Sequence, residues 1–344
     1  MALCIEDELL LAIAEGYREL DPATESHLAR CDDCRRVFAS AVRSRGEPRR
    51  GGAALPPDDE PSWDELGAGV VVAQRYELER FLGSGAMGVV WAACDRDTGE
   101  RVAIKIARGL DDDLAHRFAR EAEITSTLNH PSIAPTLAFV PRAEARGPCI
   151  VMPLLDGETL EARLQRPPAL STAEACSILA DVAGALATTH AHGIVHRDLK
   201  PQNVFLTNDR AVVLDFGIAK LLPQWGHDPR LTRSGAVLGT MTYMAPEQLF
   251  GERDIDARAD VWAFGMMLLR CLTNRSPFGD GSRAAVLRAL RRTPLVAPAE
   301  LAPLPAALRD VLSRMLVVRK DERLGDVLTV LRVLRDLAAR RAKA

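Results

Sequence analysis

The chain has 344 residues, of which 47% are hydrophobic, 26% charged and 5% aromatic, with a formal net charge of -3. That length has room for about two domains, and the near-neutral charge argues against a nucleic-acid partner. No apolar run approaches the ~20 residues of a membrane span, and the start, Met1 to Glu8, lacks the basic character of a secretory signal, so the expectation is a cytoplasmic chain.

Residues 6–20 place Leu9, Leu10, Ile13 and Tyr17 on one helical stripe. Asp21-Pro22 then offers an N-cap and a first-turn proline for a second helix running towards Phe38. A hairpin of this size cannot hold together by apolar burial alone. Its second helix carries His27-x-x-x-Cys31-x-x-Cys34 at successive one-turn offsets, and Cys4 would meet the same end of an antiparallel pair. Four nitrogen and sulfur ligands suit tetrahedral zinc, in a closed structural site. Three of these residues resemble the zinc-binding anti-sigma module of bacteria. With Cys4 the set resembles the small zinc-finger module ahead of some bacterial receptor-type kinases. The competing reading has the same side chains merely packing the hairpin. Residues 1–43 are therefore expected to form a zinc-binding unit open to a protein partner. Cys94, Cys149, Cys176 and Cys271 stand alone and read as small buried hydrophobes in a reducing compartment.

Residues 44–74 turn to Arg, Gly, Pro and acid, as in Arg49-Arg50-Gly51-Gly52 and Pro56-Pro57-Asp58-Asp59-Glu60-Pro61, and read as a solvated tether. From Arg75 the pattern becomes short β-like runs. Tyr76 to Leu82 leads into Gly83-Ser84-Gly85-Ala86-Met87-Gly88, then Val89-Val90-Trp91, a turn at Asp97 to Glu100, and the strand Arg101 to Ile106. A G-x-G-x-x-G pattern also opens dinucleotide-binding folds, but there it joins a strand to a helix. Here a β-branched run follows it, which favours a glycine flap over phosphates, with Lys105 placed to reach them.

A helical stretch over 114–129 offers Glu121 or Glu123 as an acidic partner for that lysine. Strands are expected near 134–140 and 149–152, and Pro153 to Gly157 leads into a helical half. Ser171-Thr172-Ala173-Glu174 is a capping box for a helix running to about His192. His196-Arg197-Asp198-Leu199-Lys200-Pro201-Gln202-Asn203 and Asp215-Phe216-Gly217 follow, setting a proton acceptor, a cation and two metal-capable side chains close together. After a loop over 217–245, helices are expected near 258–273, 282–292, 304–316 and 326–341.

Residues 75–340 resemble a bacterial eukaryotic-like (Hanks-type) serine/threonine protein kinase, because these motifs and Ala245-Pro246-Glu247 occur in family order and spacing. The resemblance implies an α+β, bilobal fold: a β-rich N-lobe over 75–152 and a helical C-lobe over 153–341. It implies that Lys105 grips ATP and pairs with Glu121, which stands nine residues before His130 as the family's helix glutamate does before that position. Asn203 and Asp215 would hold Mg2+, or Mn2+ in its place. Asp198 would receive the acceptor proton, and Lys200 would neutralise the γ-phosphate. The ATP site would be completed by Leu82, Gly83, Ser84, Gly85, Ala86, Met87, Gly88, Val90, Ala103, Met152, Pro153 and Leu155. Pro153 departs from the common hinge, but that position contributes only its carbonyl in the family.

Lys200 and Thr240 match the serine/threonine branch. Arg197 would receive a phosphate on the activation loop, with Thr232 and Ser234 as the sites of autophosphorylation. Asp260 resembles the aspartate that braces the catalytic loop, and Arg323 the arginine that pairs with Glu247. Two alternatives compete. One is a pseudokinase scaffold, disfavoured because Lys105, Asp198, Asn203 and Asp215 are all present. The other is a sigma-factor-binding or redox-sensing protein acting through the zinc unit.

Overall fold

The structure, a computed structural model, describes residues 66–85, 88–107, 112–141, 147–215, 241–252, 254–275, 278, 283–291 and 294–341. It also describes Thr24, residues 27–31, Cys34, Arg35 and Phe38. Cys4, Ala86, Met87, Phe216, Gly217, Thr232, Ser234 and Thr240 lie outside the described residues.

A six-stranded antiparallel sheet forms the first lobe: β1 (Val71–Val72), β2 (Tyr76–Gly85), β3 (Gly88–Asp95), β4 (Arg101–Ala107), β6 (Cys149–Pro153) and β5 (Ala138–Val140), in that spatial order. Alternation along the strands divides it into two faces. Val89, Trp91, Ala93, Val102, Ile104, Ile106, Cys149 and Val151 fill one apolar core. On the other face, Val90 pairs with Lys105 and Ala103 with Met152, so cross-strand register lines these side chains up together. Helix α1 (Asp112–Thr127) packs on that second face, where Phe118 and Ala122 meet Ala107 and Ile150. Gly88 has a specific reason to be glycine. A Cβ there would collide with the carbonyl oxygen of Ile106 on β4.

Residues 66–74, assigned to the tether from sequence, belong to this lobe instead. Val72 pairs with Tyr76, and Leu66, Val70 and Ala73 pack against the sheet core. Strand β1 is only two residues long before the turn at Ala73 and Gln74, which runs through positive φ, so it is too short for alternation to mark it in the sequence.

The second lobe is helical. Helices α2 (Leu160–Gln165), α3 (Thr172–Ala191), α4 (Pro246–Leu249), α5 (Arg258–Thr273), α6 (Arg283–Ala289), α7 (Pro298–Leu301), α8 (Ala306–Met315) and α9 (Leu328–Arg341) surround a core that includes Leu179, Leu186, Trp262, Phe264 and Leu312. The capping box forms as expected: Ser171 Oγ accepts from the Glu174 amide at 3.3 Å, and Glu174 accepts from the Ser171 amide at 2.9 Å. A small sheet of β7 (Glu158–Thr159), β8 (Val204–Leu206) and β9 (Ala211–Val213) places Asn203 directly before β8 and Asp215 shortly after β9. The lobes are joined there too, because Ala134 donates to the Val213 carbonyl and Val213 to that of Ser132.

In the N-terminal segment, Thr24, His27 and Leu28 are helical, as are Cys34, Arg35 and Phe38, but a turn at Ala29-Arg30 separates them. The expected continuous helix is therefore broken. The amides of Arg30 and Cys31 both donate to the His27 carbonyl, closing the first piece.

Candidate active site

Lys105 extends from β4 into the cleft with only 6% of its surface exposed. Its Nζ lies 3.2 Å from Glu121 Oε1 and 2.9 Å from Asp215 Oδ1, and it sits 5.4 Å from the centre of the Phe118 ring. Burial alone would disfavour the ammonium, yet the two carboxylates outweigh it and raise the lysine above its ordinary range. Burial pushes Glu121 above the usual carboxylate range, against the pull of Lys105. Glu123 makes no such contact: the structure pairs Lys105 with Glu121, one α-helical turn before Thr125, whose hydroxyl donates back to the Glu121 carbonyl at 2.8 Å.

Below this pair, Lys200 Nζ lies 3.0 Å from Asp198 Oδ2. Asn203 donates its amide to the Asp198 carbonyl at 2.9 Å. That orientation commits the Asn203 nitrogen and leaves its side-chain oxygen as the atom suited to a cation. Asp215 adopts a left-handed φ of 47°, which turns its carboxylate back towards Lys105. Its neighbour Leu214 donates to the Asn203 carbonyl at 2.8 Å, so the two oxygen-bearing residues are tied through one backbone bond.

The loop is held from beneath by residues that carry no chemistry. Asp260 on α5 is fully buried and accepts from the backbone amides of His196 at 2.7 Å and Arg197 at 2.8 Å. His190 Nε2 lies 2.8 Å from the same carboxylate. His196 is buried; its Nδ1 accepts from the Asp198 amide at 3.3 Å and its Nε2 donates to the Leu214 carbonyl at 3.2 Å. Glu247 and Arg323 form a bidentate ion pair at 2.7 and 2.8 Å in the C-lobe interior. Sequence reasoning missed Gln248, whose amide donates to the Arg197 carbonyl at 2.8 Å. An exposed-type residue beside Glu247 carries no pattern that reveals a contact across so many residues.

The flap positions Leu82, Gly83, Ser84 and Gly85 lie on β2, and Gly85 pairs with Gly88 across the tip. The hinge residue Pro153 ends β6, opposite Val102. Buried thiols at Cys176 and Cys271 are pushed up to about 11 and about 12, which keeps them protonated, as expected of core cysteines.

The protein kinase domain family matches residues 76–334 of the sequence. The chain belongs to that family. This kinase-family chain is 36% identical over 243 residues to serine/threonine-protein kinase PknA of Mycobacterium tuberculosis, covering 68% of this chain and 55% of that protein. It is 39% identical over 261 residues to serine/threonine-protein kinase Pkn1 of Myxococcus xanthus, covering 73% of this chain and 36% of that protein. Thus the chain spans about half the length of PknA and less of Pkn1. Among solved structures, the M. tuberculosis PknI kinase domain aligns with a TM-score of 0.60 at 30% identity, covering 79% of this chain and 100% of that one.

Proposed function

We propose that this kinase-family chain is a cytoplasmic, ATP-dependent protein serine/threonine kinase of bacterial signal transduction. The observation that carries this reading is Lys105 held between Glu121 and Asp215, above Asp198, Lys200 and Asn203. Transfer of a phosphoryl group needs positioning and charge neutralisation more than covalent help. Lys105 receives the inner phosphates of ATP and is kept in place by Glu121. Asp198 orients a serine or threonine hydroxyl and accepts its proton, while Lys200 balances the charge of the migrating group. The oxygens of Asn203 and Asp215 fit a hard divalent cation, which supplies charge neutralisation when bound. Val90, Ala103 and Met152 share the sheet face that carries Lys105 and form the apolar wall for adenine. No helix of the described residues is long and apolar enough to cross a membrane.

Arg197 is proposed to read a phosphate placed on Thr232 or Ser234, and Thr240 to belong to the acceptor loop. Incubation of the full chain with Mg-ATP and Ser, Thr or Tyr peptides, followed by mass spectrometry, tests the reading. Phosphate is expected on Ser and Thr peptides and on the chain itself. No transfer to any acceptor would leave a scaffold as the better description.

The domain plan proposed is a metal-binding unit over 1–43, a tether ending near 65, the N-lobe to 152 and the C-lobe over 153–341. The ligand atoms of His27, Cys31 and Cys34 lie within 4.8 Å of one another. His27 Nε2 is buried without a hydrogen-bond partner, which a bound cation would remedy. This donor set fits zinc, with Cys4 as the fourth ligand. Metal analysis of purified full-length protein tests it; about one zinc per chain is expected.

A further inference from the structure

The Cys/His cluster does not stand apart from the catalytic lobe. Leu28 and Cys34 are buried against Leu287 of α6, with Cys31, Phe38 and Phe250 around them. Helix α6 has two apolar faces. Val286 and Ala289 join the C-lobe core, whereas Leu287 belongs to the cluster formed with the N-terminal segment. Leu287 is only 3% exposed, and the other two buried members of its cluster, Leu28 and Cys34, come from the N-terminal segment. Arg291, just beyond α6, points Nη2 at Cys34 Sγ from 3.9 Å, placing a cation beside a sulfur that carries negative charge when it ligates a metal.

The shape that docks is the shape that a metal would hold. In an unbroken helix, His27 and Cys34 would stand about 10 Å apart along the axis, too far to share an ion. The turn at Ala29-Arg30 brings their ligand atoms within 4.8 Å. The same turn sets Leu28 and Cys34 side by side against Leu287. Units of fewer than ~40 residues usually need a metal or a disulfide to maintain such a geometry.

The docked face is also close to the catalytic loop. Phe250 caps α4, and Gln248 within α4 holds the carbonyl of Arg197, next to Asp198.

We propose that metal binding by His27, Cys31 and Cys34 and docking of their segment onto Phe250 and α6 are one linked equilibrium, making the metal site a clasp over the C-lobe. Loss of the metal releases the clasp and uncovers the apolar surface of Leu287 and Phe250 beside the catalytic loop. The inference rests on the zinc reading above and adds a coupling to it.

Linkage is reciprocal: if the metal strengthens docking, docking strengthens metal binding by the same factor. Leu287 is not a ligand, so Leu287→Ser probes the coupling without touching the donor set. Zinc affinity of the full-length chain is measured by competition with a chromophoric chelator, with thermal unfolding confirming that the variant keeps its kinase lobes. The variant is expected to bind zinc about tenfold more weakly or worse, since burial of a leucine side chain contributes at least that factor. Equal affinity in wild type and variant overturns the clasp and leaves the zinc site standing. No zinc binding by the wild type overturns both.

Hydrogen exchange on the wild-type chain gives a second measurement that needs no variant. Chelation is expected to speed exchange at residues 283–291, while α3 and α5 stay protected. Unchanged protection at 283–291 after complete zinc removal overturns the clasp.

Discussion

Asp260 holds Arg197 in a conformation that its own backbone disfavours. Arg197 has a φ of 64°, and its amide donates to Asp260 Oδ1 at 2.8 Å while the neighbouring His196 amide donates to Oδ2 at 2.7 Å. A non-glycine residue in this left-handed region persists only where surrounding contacts over-determine it. Replacing Asp260 with Ala strands these donors in the interior, which costs about 2–4 kcal/mol, from ~1–3 per unsatisfied group with incomplete additivity. Urea unfolding measures the loss, and phosphotransfer should fall at least about tenfold because Asp198 is the next residue. An Asp260→Ala protein with wild-type stability would remove the brace from this account.

The Lys105 pair makes a different prediction, in which chemistry fails but folding survives. Burial already pushes Glu121 above the usual carboxylate range, so without the lysine this carboxyl can take up a proton instead of staying an isolated charge. Lys105→Met should therefore remain folded by circular dichroism and lose phosphotransfer by at least about a hundredfold. Asp198→Asn should do the same, within the ~10²–10⁴-fold range of a lost general base. Wild-type turnover in either variant would contradict the roles proposed.

Arg323 tests stability away from the chemistry. Its guanidinium is fully buried, paired with Glu247, and also donates to the carbonyls of Val317 at 2.9 Å and Arg258 at 2.8 Å. Arg323→Ala leaves a buried carboxylate without its cation, expected to cost about 3–5 kcal/mol. Arg323→Ala combined with Glu247→Leu should recover part of that loss. A single variant as stable as wild type in urea would mean that the pair is dispensable.

His196 predicts a pH dependence. Burial holds its imidazole below the ordinary 6.5, outweighing the pull of Asp260, Asp198 and Asp215. The neutral ring is the form that can accept from the Asp198 amide at Nδ1 while donating from Nε2. Below 6.5 the unfolded chain binds this proton more readily than the folded one, so stability from this group is complete above 6.5. It is lost as pH falls from there towards the lower folded value. Urea midpoints taken between about pH 7.5 and 5.5 should fall with acid, and His196→Phe should flatten that slope. An unchanged slope in the variant would assign the effect elsewhere.

The activation loop is open to a simpler test. Thr232→Ala with Ser234→Ala should lower the activity of protein preincubated with ATP to that of unphosphorylated wild type. Equal activity of variant and phosphorylated wild type would leave Arg197 with only its structural contacts, among them the bond from its Nη2 to the Ile255 carbonyl at 3.3 Å.

Much of the site was legible because its residues sit in short stretches whose types and spacing are tied to one chemistry. Gly83 to Gly88, Lys105, His196 to Asn203 and Asp215 gave the expectation of a phosphate-binding flap, a lysine, an acceptor base and a cation site before any distance was known. The capping box at Ser171 and the alternation of β2 to β4 were equally local signals, since hydrogen bonds and side-chain faces there depend on near neighbours.

The pairing of Lys105 with Glu121 was expected from the resemblance, but only the tertiary structure added Asp215 to that lysine, tied Val213 to Ser132 and Ala134, and set Gln248 against Arg197. Each of these contacts joins residues far apart in the chain, where packing, and no spacing, decides who meets whom. The same holds for the N-terminal segment. Its Cys and His residues suggested a metal by their type, but the broken helix and the packing of Leu28 and Cys34 on Leu287 decided where these side chains sit and what they cover.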